Sequence, residues 1–370
     1  METKGPSVLI LCKTLLKGGA EKQAIILAKL LSHDRVSVTL VIWGGEKIDA
    51  DNLNFIEAHG IKYVCLRRNI VNRFLSLIRL IKQQNINIIL SYLTLANTVA
   101  GLTKLFARDL VTVGGIRSEQ LPYYKLIVER LFHNRINDAT VFNSCVAKTS
   151  FEKRGFAAEK SVVIHNAISI RPLERDYRTG DEITIVSVSR FVKSKDFSTA
   201  LQSFKRLLQN NRDRKLTYCI IGYGYQESEI RHMVRHLDLE KNVKVMIRPA
   251  NVFDILLNAD IYLSTSIFEG LSNSVMEAMA AGLPVVATDV GDNKYLVRDS
   301  YNGFLAPRKD VESITSGIQE LIDSADKRRE FGKNSYFKIK DEFSEEKMLA
   351  GYYKLFSEMT LSNSGVSKHE

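Results

Sequence analysis

Two carboxylates, Glu269 and Glu277, stand seven residues apart in the run F-E-G-L-S-N-S-V-M-E-A-M-A-A-G-L-P-V-V-A-T-D-V-G, from Phe268 to Gly291. Between them lie small polar and apolar residues, including Leu271, Ser272, Asn273 and Ser274. A short helical run closed by Gly282 and Pro284 follows, and then the apolar strand 284–288. The pattern predicts Glu269 in a loop and Glu277 one turn into a helix. The free N–H groups and positive dipole end of that helix point into the same space. Such a space suits a ligand with hydroxyls for the carboxylates and a phosphate for the backbone amides. A purely structural reading competes for Glu277. Ser274-Val-Met-Glu277 also fits a capping box, with Ser274 at the N-cap and Glu277 at the third helical position.

Other chemistry-bearing residues follow strand-like runs. Gly18 and Gly19 precede a helical pattern, so backbone amides there can approach a phosphate closely. They fit neither a dinucleotide G-x-G-x-x-G nor a P-loop. Arg190 and Lys195 straddle the turn after the run 184–188. Two cations there can neutralise a pyrophosphate and the charge that builds as it leaves. Gly222 and Gly224 follow the run 217–221, and Arg248 follows 243–247. An ordinary strand-to-helix turn explains the glycine pair equally well. Asp49 and Asp51 match a D-x-D spacing but sit in a polar stretch with no second acidic cluster, which reads as a solvated loop rather than a metal site. His165 beside a strand end reads as a packed or surface histidine rather than a base.

The elements that must position these residues are strand-like apolar runs alternating with helical patterns. Thirteen runs read as strands: 8–11, 36–42, 63–66, 86–91, 110–114, 140–143 and 162–165, then 184–188, 217–221, 243–247, 261–265, 285–288 and 303–306. Helical patterns between them include 21–31, 121–134, 197–208, 228–237 and 311–324. Continuous apolar strands separated by helices predict parallel sheets covered on both faces. The expected architecture is α/β, with two doubly wound Rossmann-like domains facing a central cleft. The expected boundaries are 1–170 for the N-terminal domain and 171–182 for a charged linker with Pro172 and Gly180. Residues 183–343 form the C-terminal domain, 344–360 a last helix and 361–370 a flexible tail.

Composition sets outer bounds. The 370 residues are 45% hydrophobic and 25% charged, as in globular proteins of two domains. No run approaches a membrane span, and the apolar run at 8–11 is too short for a signal peptide, so the expectation is a cytoplasmic protein. The four cysteines, Cys12, Cys65, Cys145 and Cys219, are widely spaced and read as buried free thiols. The net charge is +10 and uneven. Between Glu57 and Asp109 there is no acid but eight bases: Lys62, Arg67, Arg68, Arg73, Arg79, Lys82, Lys104 and Arg108. Apolar positions 70, 74, 77, 78 and 81 make a helical stripe in that block. An anionic partner follows, and the reading is a membrane surface. A nucleic-acid partner is set aside, because no zinc finger, RNP-like strand or basic arm accompanies the charge.

The Glu269–Glu277 element resembles the E-x7-E element of retaining glycosyltransferases of the GT-B fold, family four, also called group 1. The resemblance extends to G-G-A-E at Gly18, to S-R-x-x-x-x-K-D at Ser189–Asp196 for G-R-x-x-x-x-K-G, and to the glycines 222 and 224. It also covers N-S-x-x-x-K at Asn143 and I-x-N-A-I-S at Ile164. It implies Glu269 as the catalytic carboxylate at the donor sugar and Glu277 at the nucleotide ribose. Gly18, Gly19, Arg190, Lys195, Gly222, Arg248, Leu271, Ser272, Asn273 and Ser274 fall on the donor side. It further implies a last helix crossing back to the N-terminal domain. Many members carry a histidine where this chain has Ser91-Tyr-Leu-Thr-Leu-Ala-Asn97. Tyr92, Thr94 and Asn97 are therefore acceptor-side candidates only.

The function so implied is a retaining, metal-independent hexosyl- or N-acetylhexosaminyltransferase, with no cofactor beyond its donor substrate. A UDP-sugar is the favoured donor. The acceptor is a growing, lipid-linked surface glycan, polyprenyl-linked in kind. The site of action is the cytoplasmic face of a membrane. The alternative is a non-catalytic nucleotide-sugar-binding scaffold, motivated by the missing histidine and opposed by the intact Glu269, Arg190 and Lys195.

Overall fold

The computed structural model describes residues 6–363 apart from Lys17, Arg35, Arg68, Glu119, Arg178, Thr179 and Asp181. Arg68 of the basic block and residues 364–370 of the expected tail thus lie outside the described residues. The chain divides into two compact units, Met1–Ala167 with Glu345–Glu370 (unit 1) and Ile168–Ser344 (unit 2).

Unit 1 opens with β1 (Ser7–Cys12), α1 (Gly19–His33), β2 (Ser37–Ile42), α2 (Ala50–Ala58), β3 (Tyr63–Cys65) and α3 (Ile70–Gln83). It continues with β4 (Ile88–Tyr92), α4 (Leu93–Lys104), β5 (Val111–Ile116), α5 (Tyr123–Arg135), β6 (Ala139–Phe142), α6 (Cys145–Glu152) and β7 (Ser161–Val163). The strands form one parallel sheet in the order β3-β2-β1-β4-β5-β6-β7, with Ile10 beside Leu40 and Leu90. The order reverses between β1 and β4, so right-handed crossovers put α1 and α2 on one face and α3 and α4 on the other. The side chains of β1 alternate accordingly. Val8 and Ile10 pack with Leu27 and Leu31 of α1, and Leu9 and Leu11 with Leu77 and Ile81 of α3. Each such buried aliphatic side chain contributes roughly 1.5–3 kcal/mol.

The apolar stripe of α3 divides between core and surface. Leu77 and Ile81 are buried and Phe74 and Ile78 half-buried, whereas Ile70 faces solvent with Val71 and Leu75. Asn69 starts the helix by accepting a hydrogen bond from the Asn72 amide at 2.9 Å.

Unit 2 contains β8 (Glu182–Arg190), α7 (Phe197–Asn210), β9 (Lys215–Tyr223), α8 (Glu227–His236), β10 (Val243–Ile247), α9 (Val252–Leu257) and β11 (Ile261–Ser264). Then come α10 (Asn273–Ala280), β12 (Val285–Thr288), α11 (Asn293–Leu296), β13 (Gly303–Ala306), α12 (Val311–Asp323) and α13 (Ala325–Glu342). Its parallel sheet runs β10-β9-β8-β11-β12-β13. Ile183 and Ile185 of β8 pack toward α7 and α12, and Val186 toward α10 and α13. All thirteen strand-like runs of the sequence therefore form strands, and both sheets are doubly wound.

The segment read as a linker is strapped to unit 2 where it is described. The Arg175 guanidinium donates to the carbonyls of Leu256, Leu257 and Ala281 at 3.0–3.2 Å and to that of Ala259. Tyr177 donates to Gly282 O at 3.2 Å. Charge and proline suggested a loose connection, but one arginine collects the carbonyls that helix ends leave unpaired.

The last helix, α14 (Glu345–Asn363), belongs to unit 1. Met348, Tyr352, Leu355 and Phe356 join the core beneath α1, and Lys29 of α1 pairs with Glu345 at 2.7 Å.

Candidate active site

The strand order of unit 2 reverses between β8 and β11, and the carboxyl ends of two strands at such a point leave a crevice. Ser189, Lys195, Thr265, Ser266 and Ser274 line a crevice there. β8 ends at Arg190, and the tight turn 193–195 follows. Asp196 then takes the left-handed conformation, φ +47°, and caps α7 by accepting from the Thr199 amide at 3.4 Å, with the Thr199 hydroxyl donating to it at 2.7 Å. That φ explains why glycine suits this position. The Thr265 hydroxyl reaches the Lys195 and Asp196 carbonyls at 2.9 and 3.0 Å, and the Ile267 amide donates to Ser194 O at 2.7 Å. The loop after β11 is thereby fastened to the turn after β8.

This fastening brings Glu269 against Lys195. The two form an ion pair with side chains 13% and 15% exposed, and Ser266 Oγ donates to Glu269 Oε1 at 2.7 Å. The sequence offered no partner for Glu269, and the structure supplies two. The loop is held from its other side as well. Thr288 Oγ1 donates to Ser266 O at 2.6 Å, and the Asp292 amide donates to Gly270 O at 3.0 Å. Gly291, at φ +53°, lies so close that a Cβ there would strike the Glu269 carbonyl. Ser266, Thr265, Thr288 and Gly291 escaped the sequence reading. Only Gly291 carried a signal, as the glycine closing T-D-V-G.

Helix α10 corrects the capping-box reading. It begins at Asn273, with Ser272 at the N-cap, extended at φ −80° and ψ 105°, and making no side-chain cap. Ser274 is therefore inside the helix, and Glu277 is its fifth residue, too deep to close a box. Glu277 is half-buried. Tyr262 of β11 lies within electrostatic range of both carboxylates. Its hydroxyl donates to Val188 O at 3.1 Å, and its pKa is raised by burial and then by the charges of Glu277 and Glu269, with its Ser274 hydrogen bond opposing. Leu271 and Ser272 were placed on the donor side, but their side chains are buried, Leu271 in the apolar core. Only their backbone can serve a ligand. Asn273 and Ser274 are half-buried at the helix start.

The remaining donor-side residues of unit 2 gather on the neighbouring strands. Arg190 is exposed, and no ion pair engages it among the described residues. Gly222 and Gly224 have a structural reason to be glycine, because a Cβ on either would collide with the backbone of Ser189 or Phe191. Arg248, at φ +45°, donates its amide to Gly222 O at 3.3 Å and stacks its guanidinium 4.1 Å from the Tyr223 ring centroid. Tyr223 and Arg248 together offer a flat cationic platform.

In unit 1, Gly18 is the N-cap of α1 and Gly19 its first residue, both exposed. The Glu21 carboxylate folds over Gly18, where a side chain would displace it. The acceptor-side candidates need correction. Asn97 is fully buried, donates to Glu129 at 2.9 and 3.1 Å, and accepts from Ser91 Oγ and the Gly115 amide. Tyr92 is 3% exposed beneath Tyr352. Both hold the interior together and neither presents a free polar edge. Thr94 is half-buried, and its hydroxyl serves Glu129. Burial pushes the Glu129 carboxyl up to about 7, with the Asn97 and Thr94 hydrogen bonds opposing. Between Tyr92 and Thr94, Leu93 stands at φ +72°, a conformation costing a branched side chain about 1–3 kcal/mol.

Asp49 caps α2 by accepting from the Asp51 amide at 3.1 Å, so the D-x-D spacing serves a helix start. His165 packs against Asn143 O at 3.1 Å. The four cysteines are free.

Residues 172–337 match the family described as glycosyl transferases group 1. Among curated proteins, the chain is 25% identical over 322 residues to an uncharacterized glycosyltransferase of Haemophilus influenzae, covering 83% of this chain and 87% of that one. It is 25% identical over 228 residues to the poly(ribitol-phosphate) alpha-N-acetylglucosaminyltransferase of Staphylococcus aureus, covering 60% of this chain and 45% of that one. A glycosyltransferase of Methanocaldococcus jannaschii matches over 40% of its own length at 27% identity, covering 45% of this chain. Among solved structures, Anabaena HepE in complex with UDP-glucose superposes with a TM-score of 0.82 at 21% identity, covering 95% of this chain and 99% of HepE.

Proposed function

We propose that this GT-B glycosyltransferase is a retaining enzyme that moves a sugar from a UDP-sugar to a growing surface glycan on a lipid carrier, without a metal. The observation that carries the reading is Glu269, held by Lys195 and Ser266 at the switch point of unit 2 and beside the start of α10. Its carboxylate is suited to grip sugar hydroxyls. Lys195 and Arg190 meet the diphosphate, and Glu277 the ribose. Arg248 on Tyr223 offers a face to the base.

In this reading the bond from the anomeric carbon to the β-phosphate oxygen breaks as the acceptor oxygen attacks the same face. The departing phosphate takes the acceptor's proton, so no histidine base is needed. Cations at the phosphate stabilise the charge that develops. Relatives support the donor and acceptor classes: HepE is seen with UDP and with UDP-glucose, and the staphylococcal relative acts on poly(ribitol-phosphate). A hydrolysis screen with UDP-, GDP- and ADP-sugars, followed by NMR of the product anomer, tests this. A UDP-sugar cleaved with retention in EDTA is expected, and inversion or dependence on Mg²⁺ counts against it.

The acceptor's carrier implies a membrane, and unit 1 offers a face for one. Ile70, Val71 and Leu75 of α3, Leu105 and Phe106 after α4, and Tyr123 and Tyr124 of α5 are exposed. Phe74 packs edge-on to Phe106 at 5.6 Å, which joins the first two groups. Arg79, Lys82 and Arg108 are exposed on the same segment. Among the described residues, no helix is long and apolar enough to cross a membrane. The proposed location is therefore peripheral, on an anionic surface at the cytoplasmic face. Each engaged base contributes on the order of 1 kcal/mol. Reversing Arg79, Lys82 and Arg108 to Glu is expected to abolish co-sedimentation with anionic vesicles and spare donor hydrolysis. Equal, salt-insensitive recovery on neutral vesicles overturns the docking.

A further inference from the structure

Arg117 follows β5 at the carboxyl edge of the unit 1 sheet, next to the end of β4 and two strands from the Gly18 loop. Its guanidinium lies 4.7 Å from the centroid of the Tyr92 ring, and Nη2 donates to the Tyr352 hydroxyl at 3.0 Å. Among the described residues, several other sheltered cations meet an anion or a set of carbonyls, although Arg73 of α3 also buries an unpartnered Nε. Lys29, Lys104 and Lys195 each pair with a carboxylate. Arg175 and Arg328 each collect backbone carbonyls. Arg117 has neither among the described residues, and its Nε is buried without a partner.

Rings and hydroxyls supply dipoles, not a counter-charge. A sheltered cation without one is costly unless a ligand neutralises it. The backbone beside it is strained, with Leu93 at φ +72° directly after Tyr92, and such strain concentrates at ligand sites.

We propose that Arg117 binds a phosphate group of a substrate within unit 1. Tyr352 is a positioning residue that holds the plane of the guanidinium, whose fork suits two phosphate oxygens. The phosphate belongs to a phosphorylated acceptor. The inference goes beyond the donor reading, which stands on unit 2 residues alone.

Isothermal titration of the full chain tests it with two probes: UDP, and inorganic phosphate added to UDP-saturated protein. Arg117→Ala is expected to weaken phosphate binding at least about tenfold with UDP binding unchanged. A loss of UDP binding with phosphate binding intact counts against the proposal. Should the wild type fail to bind UDP, the donor reading falls, and phosphate titrated alone decides the matter for Arg117. Tyr352→Phe is expected to weaken phosphate binding by less than Arg117→Ala does, because the guanidinium remains but loses the hydroxyl that fixes its plane. Arg117→Gln replaces the alanine variant if that does not fold. A folded neutral variant that binds both probes within about twofold of wild type overturns the proposal.

Discussion

The carboxyl ends of the two sheets are finished in opposite ways. In unit 2 the charges answer one another: Lys195 meets Glu269, and their loops are fastened by Thr265, Thr288 and the Asp292 amide. In unit 1 the strand end is aromatic, with Tyr92 and Tyr352 around an arginine that no carboxylate answers. The first arrangement is preorganised before any ligand arrives, which suits a site that must place one carboxylate accurately. The second leaves a charge to be met by a ligand. On the proposed function, the difference places a preorganised donor site in unit 2 and a charge that a ligand would meet in unit 1.

The comparison breaks most sharply at Glu269. Glu269→Gln should lower kcat by roughly a hundredfold or more while the fold persists, because the carboxylate serves the reacting sugar and Lys195 loses its partner. Steady-state rates at saturating donor, with circular dichroism for the fold, check this. Gly291→Ala follows. It places a Cβ against the Glu269 carbonyl at a left-handed φ, so the loop must shift. A loss of about tenfold in kcat is expected without any change in a charged group, and crystallography should show Glu269 displaced. Glu277→Gln should weaken UDP binding by about ten- to a hundredfold, since the residue lies too deep in α10 to close a capping box and its carboxylate serves the ligand in the proposed reading. A fall in Tm with unchanged affinity restores a structural role.

A further prediction belongs to unit 1 and concerns stability rather than turnover. The native Glu129 carboxyl, raised to about 7, holds its proton more tightly than in the unfolded chain. The stabilisation that Glu129 contributes is therefore fully present below the ordinary glutamate range. It declines as pH rises toward about 7, by up to roughly 3 kcal/mol in total. Glu129→Gln keeps an acceptor for Asn97 and should flatten that decline. Urea unfolding between pH 5 and 8 measures it, and parallel pH profiles for the two proteins count against the assignment.

Much of this was legible in the sequence for a physical reason. Parallel strands are covered on both faces, so they read as uninterrupted apolar runs, and each run from 8–11 to 303–306 found its place. The cations and carboxylates of unit 2 were legible because charge after an apolar strand is conspicuous. What failed was side-chain direction. Asn97 and Tyr92 sit at the right strand end but turn inward, which residue type does not reveal. The start of α10 slipped by two residues because Ser272, Asn273 and Ser274 are all good N-caps. Gly291 acts through a loop twenty-two positions upstream, a contact that only the fold creates.

The central claim is that unit 2 grips the donor through Lys195 and Arg190 at its switch point. Isothermal titration of UDP into the wild type and the Lys195→Ala, Arg190→Ala double variant, both in EDTA, tests it most directly. The account predicts measurable UDP binding by the wild type and a Kd raised by about a hundredfold or more in the variant, two charge-assisted contacts being lost. An unchanged Kd in a folded variant contradicts it.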